Sequence, residues 1–187
     1  RRLSLREGAE AAAGVAVIID VFRAFSCEPL LFRCGASRVV LEADVERCLA
    51  WRDQAVLVGE VDEEPIPGFD LVNSPSLILA RGPGLFQGRT VVHRTTSGVS
   101  GAVAALPRCE AVFLASFMTA RALARVIQAR APRLVSIVAM GIRSRAPAPE
   151  DERCGDYIEH LLTGRPYDHW AALTAILAHE TARKFLR

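Results

Sequence analysis

Six short apolar runs recur along the chain, and the segments between them carry the periodicity and the end signals of helices. The runs span residues 15–19, 37–42, 55–58, 89–93, 111–115 and 134–139. Strands that alternate with helices form mostly parallel sheets with helices on both faces. The pattern therefore predicts an α/β fold, a three-layer sandwich in which a mostly parallel sheet of about six strands is flanked by helices.

Length and composition favour one globular domain over residues 1–187. A chain of 187 residues can bury one large core but is short for two. With 51% hydrophobic and 24% charged residues, it has the composition of a folded rather than a disordered protein. The formal net charge of +2 and the lack of basic runs interleaved with aromatic residues argue against nucleic acid as a partner.

Cysteine usage predicts a cytoplasmic protein. The five cysteines are odd in number, widely spaced and free of any C-x-x-C pair, which argues against a zinc site or a disulfide framework. No apolar run reaches the length of a membrane span, and Arg1-Arg2 is not followed by a signal-like apolar block. We therefore expect no membrane partner. A homo-oligomer is an alternative that the sequence leaves open.

Polar residues follow most of the predicted strands. Asp20 follows the first run, Glu60 the third, residues 94–98 the fourth and Ser116 the fifth, while Asp151 comes after the sixth. Ligands of parallel sheets bind outside the carboxyl ends of the strands, where such residues meet. The sequence therefore predicts a ligand site at one edge of the sheet.

Each of these residues also has a purely structural explanation. Asp20 can cap the helix that follows it, and Thr96 or Ser97 can be an ordinary helix N-cap. Glu60 can be an exposed loop residue paired with an arginine. Asp151 lies in the first turn of a predicted helix, where the macrodipole favours acids. The joint placement of these residues at strand ends favours a site over separate caps.

A Thr-Thr-Ser-Gly turn after the fourth run has the groups that bind phosphate. At the start of a helix it presents hydroxyls and free backbone N–H groups, and glycine lets the backbone approach a ligand. Arg23 can add a bidentate cation. The phosphate-binding residues predicted in the turn are Thr95, Thr96, Ser97 and Gly98. The turn does not match G-x-x-x-x-G-K-[ST], which excludes a nucleotide P-loop.

Carboxylates at three strand ends predict a magnesium site. Asp20, Glu60 and Asp151 could bind Mg²⁺ through oxygen ligands and several waters. An ion so placed can polarise a phosphoryl oxygen and neutralise charge as the ester bond breaks. Asp20 and Glu60 are then catalytic through the metal, and Asp70 is left as nucleophile or general base.

The loop at residues 66–76 packs proline, glycine, aspartate, asparagine and serine between apolar segments. Asp70 can ionise, Asn73 can donate and accept hydrogen bonds, and Ser74 precedes Pro75, where a side chain can cap a helix that begins with proline. On its own residues the loop is either a capped helix entry or the side wall of a site.

Taken in order, these motifs resemble those of the 2-phosphosulfolactate phosphatase family. The motifs are IDVFRA at 19–24, GE at 59–60, GFDLVNSP at 68–75, TTSG at 95–98, ASFMTA at 115–120 and ED-x-x-C at 150–154. The resemblance spans nearly the whole chain, and its most specific part is the loop at 68–75. It implies an acid phosphatase that needs Mg²⁺ and hydrolyses 2-phosphosulfolactate to sulfolactate and phosphate. In archaeal members this step belongs to coenzyme M synthesis.

The resemblance completes the predicted substrate site with Asn73, Ser74 and Ser116. The chain departs from the family at Val61, where an arginine is usual, so the cation for a sulfonate would have to come from Arg94 or Arg143. The main hypothesis is therefore a phosphatase for a small phosphoester. The alternative is a non-catalytic binder of an anionic metabolite that keeps the pocket.

Overall fold

Eight strands form two four-stranded sheets in the computed structural model, which describes residues 1–184. The strands are β1 (Arg2–Ser4), β2 (Gly14–Ile19), β3 (Arg38–Leu41), β4 (Val56–Val61), β5 (Glu64–Pro65), β6 (Thr90–Arg94), β7 (Cys109–Ala115) and β8 (Val135–Ala139). Sheet A has the order β1-β8-β2-β7 and is entirely parallel. Sheet B has the order β3-β6-β4-β5, and its edge strand β5 is antiparallel to β4.

Ten α-helices and one short 3-10 helix connect these strands within residues 1–184. They are α1 (Leu5–Glu10), α2 (Ala24–Arg33), α3 (Val45–Leu49), α4 (Pro75–Arg81), α5 (Pro83–Phe86), α6 (Gly98–Ala105), the 3-10 helix Leu106–Arg108, α7 (Ala120–Arg130), α8 (Pro149–Thr163), α9 (His169–Ala178) and α10 (Glu180–Arg183). The longest, α8, has 15 residues. None of the helices in this part of the chain combines the length and the apolar character needed to cross a bilayer.

Sheet A is covered by helices on both faces. Successive side chains of a strand point to opposite faces. In β2, Val17 and Ile19 pack in a cluster with side chains of α7 and α8, whereas Ala16 and Ile18 pack with side chains of α1 and α6. This double burial explains why residues 15–19 form a continuous apolar run rather than an alternating one.

Sheet B has the same arrangement on a smaller scale. Val56 and Val58 of β4 pack with side chains of α2 and α4. Leu57 of the same strand faces the other way and packs with Val92 of β6 and Cys48 of α3. Each sheet therefore has its own apolar layers on both faces.

The chain passes from sheet A to sheet B through α2 and returns through α6. Helix α2 joins β2 to β3, and α6 joins β6 to β7. Ala102 and Ala105 of α6 pack in the cluster beneath β2. These crossings place the carboxyl ends of β2 and β8 opposite those of β4 and β6, and a cavity lies between them.

The predicted α/β class, with mostly parallel strands flanked by helices, is confirmed, and all six predicted runs are strands. The strand count differs because β1 and β5 have only three and two residues, too few to produce a sequence pattern. The strands also divide into two sheets, because β3, β4 and β6 pair with one another and not with β2. The last three residues of the predicted 1–187 domain lie outside the described part, and the assignment of one domain stays a prediction.

Candidate active site

A cavity of about 80 Å³ lies between the carboxyl ends of the two sheets. A cavity of this size suits a small group such as a phosphate better than a nucleotide. The lining residues are Asp20, Phe22, Arg23, Glu60, Asp62, Glu63, Asn73, Thr95, Thr96, Ser97, Gly141, Ile142, Arg143, Glu150, Asp151, Thr181 and Lys184. Most of the strand-end residues predicted from sequence are therefore brought together here.

Asp20 follows β2 and connects the first turns of two helices. Its Oδ1 accepts a hydrogen bond from the Ala24 N–H of α2 at 3.1 Å. Its Oδ2 accepts from the Gly98 N–H of α6 at 2.8 Å. A Cβ atom at Gly98 would lie 2.8 Å from Asp20 Oδ2 and 2.9 Å from Asp20 Cβ, so the close approach requires glycine. Gly98 thus positions the carboxylate rather than the ligand.

Asp151 lies in the first turn of α8 and makes an equivalent pair of contacts. Its Oδ1 accepts from the Val21 N–H at 2.7 Å, and its Oδ2 accepts from the Gly141 N–H at 2.8 Å. It therefore joins the chain that follows β2 to the chain that follows β8. Asp20 and Asp151 are both buried, at 7% and 3% exposure.

Burial raises the pKa of both carboxyl groups, and nearby negative charge raises it further: that of Glu28 and Glu60 for Asp20, and that of Asp20 for Asp151. Burial raises the pKa of Asp20 from an ordinary 3.8 to about 7, against the lowering effect of the N–H groups of Ala24 and Gly98. Burial also raises the pKa of Asp151 well above its ordinary value, and the negative charge of Asp20 is the next largest cause. Two buried carboxylates that repel each other do not both ionise readily. Without a cation, the pair therefore retains a proton near neutral pH.

Glu60, at the end of β4, organises the opposite side of the cavity. Its Oε1 accepts from the Thr96 N–H at 2.7 Å, and its Oε2 accepts from the Glu63 N–H. The Thr96 hydroxyl accepts from the Asp62 N–H at 2.7 Å. Arg94 donates to the Glu60 carbonyl and to the Thr96 hydroxyl. Glu60 and Arg94 therefore hold the loops of sheet B, and Arg94 does not line the cavity.

The turn after β6 presents donors at the start of α6. The Thr95 hydroxyl accepts from the Val99 N–H at 3.0 Å, which caps the helix and leaves the hydroxyl proton to donate elsewhere. Ser97 and Asn73 also line the cavity, and Asn73 is buried at 4% exposure. The predicted phosphate-binding turn thus lines the same cavity as Asp20 and Asp151, and its Gly98 N–H donates to Asp20.

Acidic side chains outnumber basic ones in the cavity wall. Six carboxylates and three cations line it. Two of the cations lie beside the turn between β4 and β5: Arg143 is 3.8 Å from Glu63 and 4.0 Å from Asp62, and Lys184 is 3.0 Å from Glu63. An anionic ligand would therefore meet net negative charge unless a further cation bound with it.

Besides Gly98, which donates to Asp20, three predicted site residues are absent from the cavity wall. Asp70 turns back to sheet B, where its Oδ2 accepts from the Leu57 N–H at 2.8 Å. Leu57 precedes Glu60 by three residues, or about 10 Å along a strand. Ser74 hydrogen-bonds with Ser76, and Ser116 is fully buried after β7 with no partner for its hydroxyl among residues 1–184. The structure therefore does not support Asp70 as the nucleophile.

The acidic residues fit a magnesium site in part. Within residues 1–184, no group of three His, Cys, Asp or Glu side chains is arranged to hold a metal ion. Mg²⁺ often takes one or two carboxylates and completes its shell with waters. Asp20 and Asp151, which repel each other, suit that role. Glu60 suits it less, because its oxygens accept three hydrogen bonds, from the Thr96 N–H, the Thr96 hydroxyl and the Glu63 N–H, whereas those of each aspartate accept two.

Sequence reasoning missed several residues of the wall. Asp62 and Glu63 form the turn between β4 and β5. Thr181 and Lys184 come from the end of the described chain, where the Thr181 hydroxyl donates to Glu150 at 2.8 Å. No local motif marks these residues, since only the packing of α10 against the cavity brings the last two there.

Comparison with known proteins shows matches along nearly the whole chain. A family model described as 2-phosphosulpholactate phosphatase matches residues 3–186. A probable 2-phosphosulfolactate phosphatase of Deinococcus radiodurans is 36% identical over 151 residues, which cover 79% of this chain and 62% of that protein.

Two further relatives carry the same description. The Thermus thermophilus protein is 34% identical over 148 residues, covering 79% of this chain and 61% of that protein. The Bacillus subtilis protein is 29% identical over 159 residues, covering 82% of this chain and 66% of that protein. The chain thus spans less than two thirds of the length of these relatives.

We expect the stability of the protein to depend on pH through Asp20. A carboxyl group whose pKa is higher in the folded state stabilises the fold below its unfolded pKa, and that contribution is lost as pH rises through the folded value. In EDTA, the free energy of unfolding should therefore fall between pH 4 and pH 7, by up to about 4 kcal/mol. Urea unfolding of the wild type and of Asp20→Asn checks this. Parallel pH profiles for the two proteins would contradict it.

We expect Gly98→Ala to displace Asp20. The added methyl group would overlap the Asp20 carboxylate, and overpacking of this kind costs about 1–3 kcal/mol. The matched control is Gly84→Ala in α5, where an added Cβ meets no atom within 4 Å. Urea unfolding should separate the two variants, with the control within about 0.5 kcal/mol of the wild type. Equal stability of both variants would show that Gly98 has no positioning role.

Proposed function

Because the chain belongs to the 2-phosphosulfolactate phosphatase family, we propose that it is a Mg²⁺-dependent phosphatase of a small anionic phosphoester, with 2-phosphosulfolactate as substrate and sulfolactate and phosphate as products. One observation carries the proposal: the buried pair Asp20 and Asp151 lines the same small cavity as a turn of hydrogen-bond donors. A metal ion and hydrogen-bond donors in one cavity can together stabilise the charge that develops in phosphoester hydrolysis.

In this proposal Asp20 and Asp151 hold the magnesium ion. Their buried oxygens are hard ligands, and their mutual repulsion would be relieved by a divalent cation. When bound, Mg²⁺ supplies charge neutralisation at the phosphoryl oxygens and polarises the ester. The excess of acids in the wall supports a cation at this place, since an anionic ester would otherwise be repelled.

The phosphate oxygens are bound by groups that face the cavity from the opposite sheet. Ser97 and the Thr95 hydroxyl can donate from the start of α6, and Asn73 can donate through its amide. Arg23 adds positive charge from the sheet A side. Thr96 is engaged with Glu60 and acts by holding the turn in place.

The remaining cations of the wall suit the second anionic group of the substrate. Arg143 and Lys184 are about half exposed and lie beside Asp62 and Glu63 at the cavity. We propose that they bind the sulfonate, in place of the arginine that is usual in the family at the position of Val61. On binding, the sulfonate of the substrate would replace Asp62 and Glu63 as the ionic partner of Arg143 and Lys184.

We also assign the protein to the cytoplasm. All five cysteines are free, and four of them are buried. A reducing compartment keeps such thiols unpaired, which supports the assignment.

We expect phosphate release from 2-phosphosulfolactate to require Mg²⁺ and to stop in EDTA. Asp20→Asn and Asp151→Asn should each lower kcat/KM at least about 100-fold, because the metal loses a charged ligand. Asp70→Asn should change turnover little, since its carboxamide oxygen can still accept from Leu57 and it lies outside the cavity wall. A phosphate-release assay, with circular dichroism to check folding, measures all three.

The same assay separates the phosphatase from the alternative of a non-catalytic binder. Release that is indifferent to chelation would contradict the metal role. Tight binding of the ester by calorimetry without any turnover would favour the binder. Loss of activity in Asp70→Asn alone would return Asp70 to the catalytic role predicted from sequence.

We expect Arg143→Ala to affect the sulfonate end of the substrate specifically. KM for 2-phosphosulfolactate should rise roughly tenfold, as expected for loss of one charge-assisted hydrogen bond. KM for 2-phospholactate, which lacks the sulfonate, should change little. Steady-state kinetics with both esters test this, and an equal rise for the two would place Arg143 elsewhere in the reaction.

A further inference from the structure

A buried chain of three polar side chains runs from α2 to the cavity wall. His93 of β6 is fully buried, with Nδ1 2.7 Å from Glu28 Oε1 and Nε2 2.9 Å from Asn73 Oδ1. Asn73 lines the cavity, whereas Glu28 and His93 do not. A buried histidine with two hydrogen bonds can serve stability alone. Here, however, one of its partners is a residue that faces the ligand.

The two contacts of His93 fix the number of protons that Glu28 and His93 share. Asn73 Oδ1 can only accept, so Nε2 of His93 must carry a proton. The contact with Glu28 needs a second proton, either on Nδ1 or on the carboxyl group. The arrangement is therefore an imidazolium beside a carboxylate, or a neutral imidazole beside a carboxylic acid. Both have the same total charge of zero.

Burial favours a total charge of zero on Glu28 and His93. Glu28 is 6% exposed, and its Oε2 has no hydrogen-bond partner among residues 1–184. A lone carboxylate in such a place is strongly disfavoured unless a positive charge or a proton compensates it. His93 is the group that meets Glu28 directly, so it is the compensating partner.

The protonated pair decides which end of the Asn73 amide faces the cavity. When Nε2 donates to Oδ1, the amide presents its Nδ2 donor to the ligand. If the pair lost one proton, Nε2 would become an acceptor and the amide would have to turn, presenting Oδ1 instead. An amide oxygen repels the oxygens of a phosphate ester, whereas an amide N–H binds them.

We propose that Glu28 and His93 are positioning residues that hold the Asn73 amide as a hydrogen-bond donor to an anionic oxygen of the bound phosphoester. This inference rests on the proposed phosphatase function. The ligand class that it selects is an oxyanion that accepts hydrogen bonds. Neither Glu28 nor His93 touches the ester; they act through Asn73.

The test compares two nearly isosteric side chains at position 93. His93→Gln keeps an N–H donor for Asn73 Oδ1, whereas His93→Met has none. Both are made with Glu28→Gln, so that neither variant buries an unpaired carboxylate. With 2-phosphosulfolactate and Mg²⁺, the methionine variant should lose about 10- to 100-fold in kcat/KM, mainly through KM, while the glutamine variant should retain most of it.

A second pair of proteins tests whether the effect passes through Asn73. In an Asn73→Ala background, exchanging glutamine for methionine at position 93 should change KM by less than about twofold, because the amide to be oriented is gone. An undiminished effect in that background would overturn the proposal. Equal kinetics of the glutamine and methionine variants with Asn73 present would overturn it too.

A spectroscopic measurement keeps this inference separate from the phosphatase proposal. In protein labelled with ¹⁵N at histidine and asparagine, the His93 Nε2 signal, identified by its loss in the His93→Gln variant, should show a directly bound proton. The Asn73 side-chain N–H signals should shift when inorganic phosphate and Mg²⁺ are added. Both results are expected whether or not the ester turns over. An unprotonated Nε2, or Asn73 signals unmoved by saturating phosphate, would overturn the inference.

Discussion

Two buried carboxylates that repel each other hold the ends of sheet A together. Each oxygen of Asp20 and Asp151 accepts one backbone N–H, from Ala24 and Gly98 in the first case and from Val21 and Gly141 in the second. These bonds join the chain after β2 and β8 to the starts of α2 and α6. Hydrogen bonds offset part of the cost of burying the charges but supply no countercharge. The site is therefore built around a position that a cation would stabilise.

The rest of the cavity comes from sheet B and serves a different purpose. Glu60 and Arg94 fix the turn after β6, and that turn presents Ser97 and the Thr95 hydroxyl. In the proposed function, the charge that would bind the metal thus comes from one sheet and the donors to phosphate from the other. Because α2 and α6 cross between the sheets, their packing sets the distance between the two halves of the site.

Much of the fold and part of the site could be predicted from sequence. The strands could be predicted because apolar runs are local patterns. The rule that ligands bind at the carboxyl ends of parallel strands predicted that Asp20, Glu60 and Asp151 lie at one cavity. The direction in which a loop side chain points is not set by the local sequence. Asp70 belongs to the most specific motif, yet its loop turns back to hydrogen-bond with Leu57.

Other residues could not be found because they depend on long-range packing. Lys184 reaches the wall only through the placement of α10, and Glu28 meets His93 across 65 residues of chain. A histidine within an apolar run was the one local signal of that buried chain. The partner on α2 and the orientation of the Asn73 amide follow only from the three-dimensional arrangement.

In the proposed function, Asp20 and Asp151 together hold the metal that faces the phosphate. A crystal structure with Mg²⁺ and inorganic phosphate tests it most directly. We predict one ion with an oxygen of each carboxylate at about 2.1 Å, and phosphate between that ion and the turn of Thr95 and Ser97. A metal bound at Asp70, or phosphate bound away from the two carboxylates, would contradict the account.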